Sequence, residues 1–228
     1  MPDDRDPLAG SPWSTPETVA GFAQSAPNET LLRFAKAEGS NAPKRLLDIG
    51  CGAGRNAVPL ARLGWSAIGV DLSLPMIVAA AARVRDEHLE NHLRLALASM
   101  HELPFAARSF DLIVAHGIWN LARSGSEFRH AIAEAARVAR RPSALFVFTF
   151  SRNALPPDAQ PVVNESFVFT QFSGQPQCFL TAQQLATELA AVGFVRDPMT
   201  ALRELNLPRP GALYSGAPVI YEGIFRLT

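Results

Sequence analysis

From Arg45 onward, short apolar runs alternate with stretches of helical periodicity. Arg45-Leu46-Leu47-Asp48-Ile49 predicts a strand with an apolar body. A glycine turn follows, then a helix to Leu63 that Gly64 stops. Ser66 to Val70 predicts a second strand ending at Asp71. Ser73 is placed to cap the next helix, which runs through the alanines at 79–82. Leu93 to Ala98 predicts a third strand. Phe110 to His116 predicts a fourth, apolar on both faces at Leu112-Ile113-Val114. Phe128, Ile132, Ala135 and Val138 share one face of a helix from about Ser126 to Arg140, and Ser124 to Glu127 reads as a capping box. Ala144 to Phe150 is the fifth strand.

The flanks are less regular. Three prolines and no periodicity make the first twelve residues a loose arm. Val19, Phe22, Ala23 and Ala26 lie on one face of a helix from Pro16, and a second helix spans about Glu29 to Glu38, with Asn28 as N-cap and Gly39 after its end. Residues 151–180 carry four prolines and the β-rich Phe167-Val168-Phe169, which predicts an insertion or a short strand pair. Thr181 to Gln184 is another capping box, opening a helix that Gly193 ends. Phe194 onward and Val219 to Leu227 predict two final strands at one sheet edge, joined by a long proline-rich linker, Asn206 to Pro218. Alternating apolar strands and helices predict a doubly wound α/β fold. Its sheet is mostly parallel and seven-stranded, with helices on both faces and a C-terminal antiparallel edge strand. A single domain would comprise an N-terminal arm with lid helices (1–44), a core (45–150), an insertion (151–180), and a C-terminal helix and edge hairpin (181–228).

Composition narrows the function. The chain has 228 residues, enough to bury roughly 70% of its unfolded surface without staples. Lys and Arg number 21 against 21 Asp and Glu. That balance argues against nucleic acid as a partner, which calls for a basic excess or stripe. Only two cysteines are present, so no disulfide scaffold is expected. No apolar run approaches the ~20 residues of a membrane span, and the acidic MPDDRDPLAG start is no secretory signal. A cytoplasmic protein without a membrane partner is expected.

The most informative stretch runs from Leu46 to Gly54. A strand leads straight into Gly50, Gly52 and Gly54, then a helix. Glycines there permit positive φ and let the backbone approach a ligand. Counted from Gly52, the turn also fits the G-x-G-x-x-A variant of a dinucleotide site, ending at Ala57, so a nicotinamide cofactor stays open. Asp48 weighs against it, since a carboxylate at the strand end suits a cationic amine better than a pyrophosphate. Asp71, ending the second strand, is placed to accept both hydroxyls of a ribose.

These residues make the chain resemble the Rossmann-like S-adenosylmethionine-dependent methyltransferases. Asp48-Ile49-Gly50-Cys51-Gly52-Ala53-Gly54 is similar to that family's first motif, and Gly69-Val70-Asp71-Leu72-Ser73 to its second-strand motif. Met100 to Phe105 followed by Ser109 to Ile113 is similar to the segment around strands three and four. The resemblance covers about residues 43–150 well and 178–228 loosely. It implies S-adenosyl-L-methionine as cofactor. Gly50, Gly52 and Gly54 would line its methionine part, with Asp48 near the ammonium and Arg55 in the same turn. Asp71 would hold the ribose, Leu72 and Met76 would pack on the adenine, and Ser99 and Met100 would meet its edge. The family often has an aspartate where this chain has Ser99, whose hydroxyl accepts a weaker hydrogen bond.

For the acceptor, the resemblance implies a small molecule. The Asn/Asp-Pro-Pro-aromatic run of amino-methylating DNA and protein enzymes is replaced by Ala115-His116-Gly117-Ile118-Trp119, without proline. His116, at the end of strand four, is the candidate general base or an orienting group. Trp119 and Asn120 are candidate substrate contacts, and Trp13 and Phe22 could close over the site from the arm. Cys51 and Cys178 read as packing residues. Pro59, inside the helix after the glycine turn, should cost a hydrogen bond. The alternatives are a protein or RNA modifier working with a partner subunit, a non-catalytic module that binds the cofactor, and a nicotinamide-dependent oxidoreductase. No metal site is expected.

Overall fold

The structure, a computed structural model, describes residues 6–39, 44–208 and 217–228. Part of the predicted arm and of the 206–218 linker lies outside the described residues. The helices are α1 (Pro16–Gln24), α2 (Glu29–Glu38), α3 (Ala57–Arg62), α4 (Leu74–Asp86), α5 (Gly125–Val138) and α6 (Ala182–Ala191). The strands are β1 (Arg45–Ile49), β2 (Ser66–Asp71), β3 (Leu93–Leu97), β4 (Phe110–His116), β5 (Ala139–Phe150), β6 (Val168–Phe169), β7 (Gln177–Cys178), β8 (Phe194–Arg196), β9 (Arg203–Leu205) and β10 (Ile220–Leu227).

The main sheet runs β3-β2-β1-β4-β5-β10-β8, with β9 also on β10. Its first five strands are parallel. β10 is antiparallel to β5 along its whole length, so β8 and β9 share its other side end to end. The seven expected places are filled, and the edge place holds two short strands. Strand order reverses at β1, which opens the crevice between β1 and β4 where doubly wound sheets bind ligands. Among the described residues, no helix is long and apolar enough to cross a membrane.

Alternation along the strands supplies both cores. Leu46, Leu112, Val114 and Phe146 pack with Leu31 and Ala35 of α2 and with Val58 and Leu60 of α3. Leu47, Ile113, Leu145 and Val147 pack on the other face with Phe128 and Ile132 of α5 and with Leu185 and Leu189 of α6. α2 is pinned by the Trp65 indole N–H, which donates to Ala35 O at 3.2 Å.

Capping follows the sequence closely. Asn28 accepts from Leu31 N, Ser73 from Met76 N, and Thr181 with Gln184 forms the full reciprocal box. At α5 the expected box is only half formed: Ser124 accepts from Glu127 N, while the Glu127 carboxylate takes the Arg123 N–H instead. The expected cost at Pro59 does not arise. α3 starts later than the apolar pattern implies, so Pro59 is its third residue, in the first turn where amides lack a helical partner anyway.

Two flanking segments are more ordered than expected. From Asp6 on, the arm docks on the start of α4. Asp6 Oδ1 accepts from Leu74 N at 3.0 Å, and Ser73 Oγ donates to Trp13 O at 3.1 Å. The 151–180 segment forms the antiparallel pair β6–β7 over a small cluster of Leu155, Phe169 and Phe179.

Candidate active site

The carboxyl ends of β1, β2, β4 and β5 meet on one rim. The glycine turn hangs from β2 there: the amides of Gly50 and Cys51 both donate to Val70 O, at 2.8 and 2.9 Å. Gly50, Gly52 and Gly54 have φ of +70°, +53° and +77°, which explains their spacing as a backbone requirement. Their surroundings differ. A Cβ on Gly50 would lie 2.7 Å from the Ile118 side chain, and one on Gly54 would lie 3.0 Å from Val58. A Cβ on Gly52 would meet only Phe22 at 3.5 Å and Met76 at 3.8 Å. Gly52 is thus the glycine of the three whose missing side chain leaves room above the turn. Cys51 packs beneath it against Gly69, and burial pushes its thiol pKa well up, so it is no nucleophile.

Asp71 faces this turn. Its Oδ2 accepts from Gly52 N and its Oδ1 from Ser73 N, both at 2.9 Å. It therefore braces the turn as well as standing at the ribose position. Burial raises its pKa against the pull of those amides. Leu72 is half-buried beside it, and Met76 is buried. The Phe22 ring reaches the turn from α1 and meets Trp13 edge to face, 6.0 Å between centroids, so both arm aromatics lie at this rim.

A second group of polar side chains lies on the α2–α3 side. Asp48 is 1% exposed, and neither carboxylate oxygen has a partner of hydrogen-bond geometry. Burial lifts its pKa from 3.8 to about 7; Arg55 pulls it back, Asp71 pushes it further, and the Ala57 amide lowers it slightly. An Arg55 Nη donates to His116 Nδ1 at 2.8 Å. Burial and that guanidinium lower the His116 pKa from 6.5 to about 3. His116 stands at the rim as expected, but its ring is neutral and one nitrogen is taken. Burial and the guanidinium thus disfavour the protonated ring that a general base must form, while the orienting role stays open.

Two members of this group were not singled out from sequence as site residues. Asn28, read only as a cap, also donates through Nδ2 to Glu222 Oε2 at 2.7 Å and lies 3.4 Å from His116 Nε2. Glu222 is 3% exposed, and its Oε1 has no hydrogen bond, with Arg203 Nη1 at 3.8 Å. A lone acid inside the apolar run Ile220 to Phe225 was the available signal.

The remaining candidates divide. The Ser99 hydroxyl lies 3.2 Å from His101 Nδ1 and accepts from His101 N, and Met100 is half-buried against the core. Trp119 is not an open substrate wall: it is buried in the core, edge to face with Phe128. Asn120 is buried too. Both carry an unpaired polar atom, Trp119 Nε1 and Asn120 Oδ1. The compact turn after β4 folds these side chains inward and leaves Ile118 over Gly50.

Residues 47–147 match the methyltransferase domain family. The chain is 35% identical over 102 residues to methyltransferase GfsG of Streptomyces halstedii, covering 44% of this chain and 36% of that protein. It is 28% identical over 171 residues to the ubiquinone/menaquinone biosynthesis C-methyltransferase UbiE of Dinoroseobacter shibae, covering 67% of each. The matched stretch spans less than half the length of several such relatives. A methyltransferase structure from Methanosarcina mazei superposes with a TM-score of 0.69 at 19% identity, over 89% of this chain and 98% of that one, and so shares the fold. Motif order, sheet topology and these matches agree: residues 47–147 are similar to a methyltransferase domain, set in the fold of the Methanosarcina mazei methyltransferase.

Proposed function

We propose that the protein moves the methyl group of S-adenosyl-L-methionine to a small-molecule acceptor by direct displacement. The observation that carries this reading is the cradle formed by Gly52, Asp71 and Asp48. The open side of Gly52 leaves space a Cβ would fill. Asp48 presents two buried oxygens that make no close hydrogen bond, suited to an ammonium and wrong for a pyrophosphate. Asp71 is held by two amides with its carboxylate toward the rim. The residues present therefore fit the cofactor. Gly50, Gly54 and Arg55 shape the turn, Leu72 and Met76 offer the adenine an apolar wall, and Ser99 and Met100 stand at its edge.

The cofactor supplies an activated methyl on a sulfonium. The chain's work is alignment and exclusion of water. Phe22 and Trp13 cover the rim, Arg55 fixes His116 as a neutral ring, and His116 orients the acceptor. The quinone-biosynthesis relative supports a small-molecule acceptor. Calorimetry with S-adenosylmethionine, S-adenosylhomocysteine and NAD tests the reading. Binding of the first two and not of NAD is the expected result. Binding of NAD alone would turn the protein into an oxidoreductase candidate.

A further inference from the structure

Beyond the cofactor cradle, the rim continues past His116 as a row of side chains that the reading above leaves unused. His116 of β4, Phe148 of β5 and Glu222 of β10 are successive cross-strand partners, so they project from the same face. The His116 and Phe148 rings stack, 4.0 Å between centroids and 11° between planes. Phe150 follows two residues along β5 on that face. It stacks on Phe179 at 5.0 Å and meets Phe172 at 5.1 Å. Phe148 and Phe150 are half-buried, and Phe172 is 43% exposed. These rings stand along the rim as two separate groups, the His116–Phe148 stack beside Arg55 and the Phe150–Phe179–Phe172 group at the insertion. One charge stands in this row. Glu222 Oε1 is buried with no hydrogen bond, Arg203 Nη1 being 3.8 Å away, while Oε2 is held by Asn28. A buried carboxylate oxygen left without a hydrogen bond marks a place for a donor.

Resting on the methyl-transfer reading, we propose that the acceptor is a planar aromatic or heteroaromatic molecule packed against this row of rings, with an N–H or O–H group donating to Glu222 Oε1. Ring stacking selects the flat body, and the buried carboxylate selects the donor. In the transfer, the acceptor nitrogen or oxygen forms the bond to the methyl carbon, and the carbon–sulfur bond breaks. The electron pair of that bond stays on sulfur, and the proton displaced from the acceptor passes to Glu222. This also gives the chain an acid–base group in place of His116.

Protein loaded with S-adenosylhomocysteine tests this without turnover. The probes are 8-hydroxyquinoline and 1,4-dihydroxynaphthalene, which are flat with a donor, 1,4-dimethoxynaphthalene, flat without one, and decanoic acid, which has no ring. Binding is read by saturation-transfer NMR and titration. The two hydroxylated probes should bind most tightly. Glu222→Gln keeps the shape and the Asn28 contact, and should weaken them about 10–100-fold while leaving S-adenosylhomocysteine and the dimethoxy compound unchanged. Phe172→Ala, at an exposed ring, should weaken all three flat probes. With S-adenosylmethionine, a bound hydroxylated probe should gain one methyl, and Glu222→Gln should lower kcat. Unchanged affinity of the hydroxylated probes in Glu222→Gln, binding of decanoic acid alone, or no binding of any flat probe would overturn the proposal. Failure to bind S-adenosylhomocysteine would remove the cofactor reading itself, and the acceptor assignment with it.

Discussion

At the scale of single residues, Asp48 of β1 and His116 of the neighbouring β4 carry opposite proton linkages. Burial raises the Asp48 pKa to about 7, so between pH 4 and 7 the folded state holds a proton that the unfolded state has released. Stability from this group therefore falls as pH rises through that window. Burial and Arg55 lower the His116 pKa to about 3, so between pH 3 and 6.5 the unfolded state holds the extra proton and stability rises with pH. In the wild type the two slopes oppose each other. Asp48→Asn should expose the histidine linkage, giving a denaturation midpoint that drops steeply as pH falls from 6.5 to 4. His116→Gln should show the reverse, a midpoint that falls as pH rises over the same range. Urea titrations across pH 4–7.5 measure both, and parallel pH profiles for the two variants would rule out this pairing. Asp71 behaves differently from what its sequence position suggests. Read alone, it is a ribose ligand whose removal spares the fold. Its bonds to Gly52 N and Ser73 N make it a brace as well. Asp71→Ala should therefore lose about 1–3 kcal/mol of stability together with its affinity for S-adenosylmethionine. An unchanged melting temperature would show those two amides finding water instead.

At the scale of the element, the glycine turn separates a folding requirement from a binding one. All three glycines have positive φ, so any side chain there is strained. Only Gly50 also collides with a side chain packed in the turn, Ile118 at 2.7 Å. Gly50→Ala should thus destabilise the free protein more than Gly52→Ala, whose Cβ meets nothing closer than 3.5 Å. Gly52→Val should leave the circular dichroism spectrum native and abolish cofactor binding. Equal melting temperatures for Gly50→Ala and Gly52→Ala would contradict this division. The turn was legible because its constraint is local: strand, alternate glycines and helix follow one another in the chain. Caps were legible for the same reason, and Asn28, Ser73 and Thr181 all work as read. What failed were statements needing the start of an element or what it packs on. Pro59 looked costly until the helix start was known. Trp119 looked like a pocket wall because its position after β4 was right, while the turn's inward fold, which buries it on Phe128, depends on packing against α5. Glu222 was hidden because β10 reaches the rim only by pairing antiparallel with β5.

At the scale of the whole molecule, the N-terminal segment is the part whose role depends most on distant contacts. Three prolines and no periodicity describe a loose arm, yet from Asp6 the segment runs along the rim past α4, Gly52 and Glu222. Asp6 and Trp13 bond to the start of α4 beside Asp71. Phe22 reaches Gly52. Asn28 bonds to Asn56 through its amide and to Glu222 through its side chain. These holds are few and lie at the ends of helices, so α1, which buries no residue completely, is among the easiest elements to open. A ligand in the cradle would sit beneath Phe22 and add contacts that only the closed arm makes. Cofactor binding should then slow hydrogen exchange across residues 16–24 more than across the central strands, which are already protected. Phe22→Ala removes the contact over Gly52 from a half-buried ring. It should speed release of S-adenosylmethionine by roughly tenfold, equivalent to about 1.4 kcal/mol, and change the melting temperature of the free protein little. Stopped-flow release and exchange mass spectrometry measure the two effects. Exchange in 16–24 that is indifferent to the cofactor, with release unchanged in Phe22→Ala, would make the arm a fixed wall that plays no part in letting the cofactor in or out.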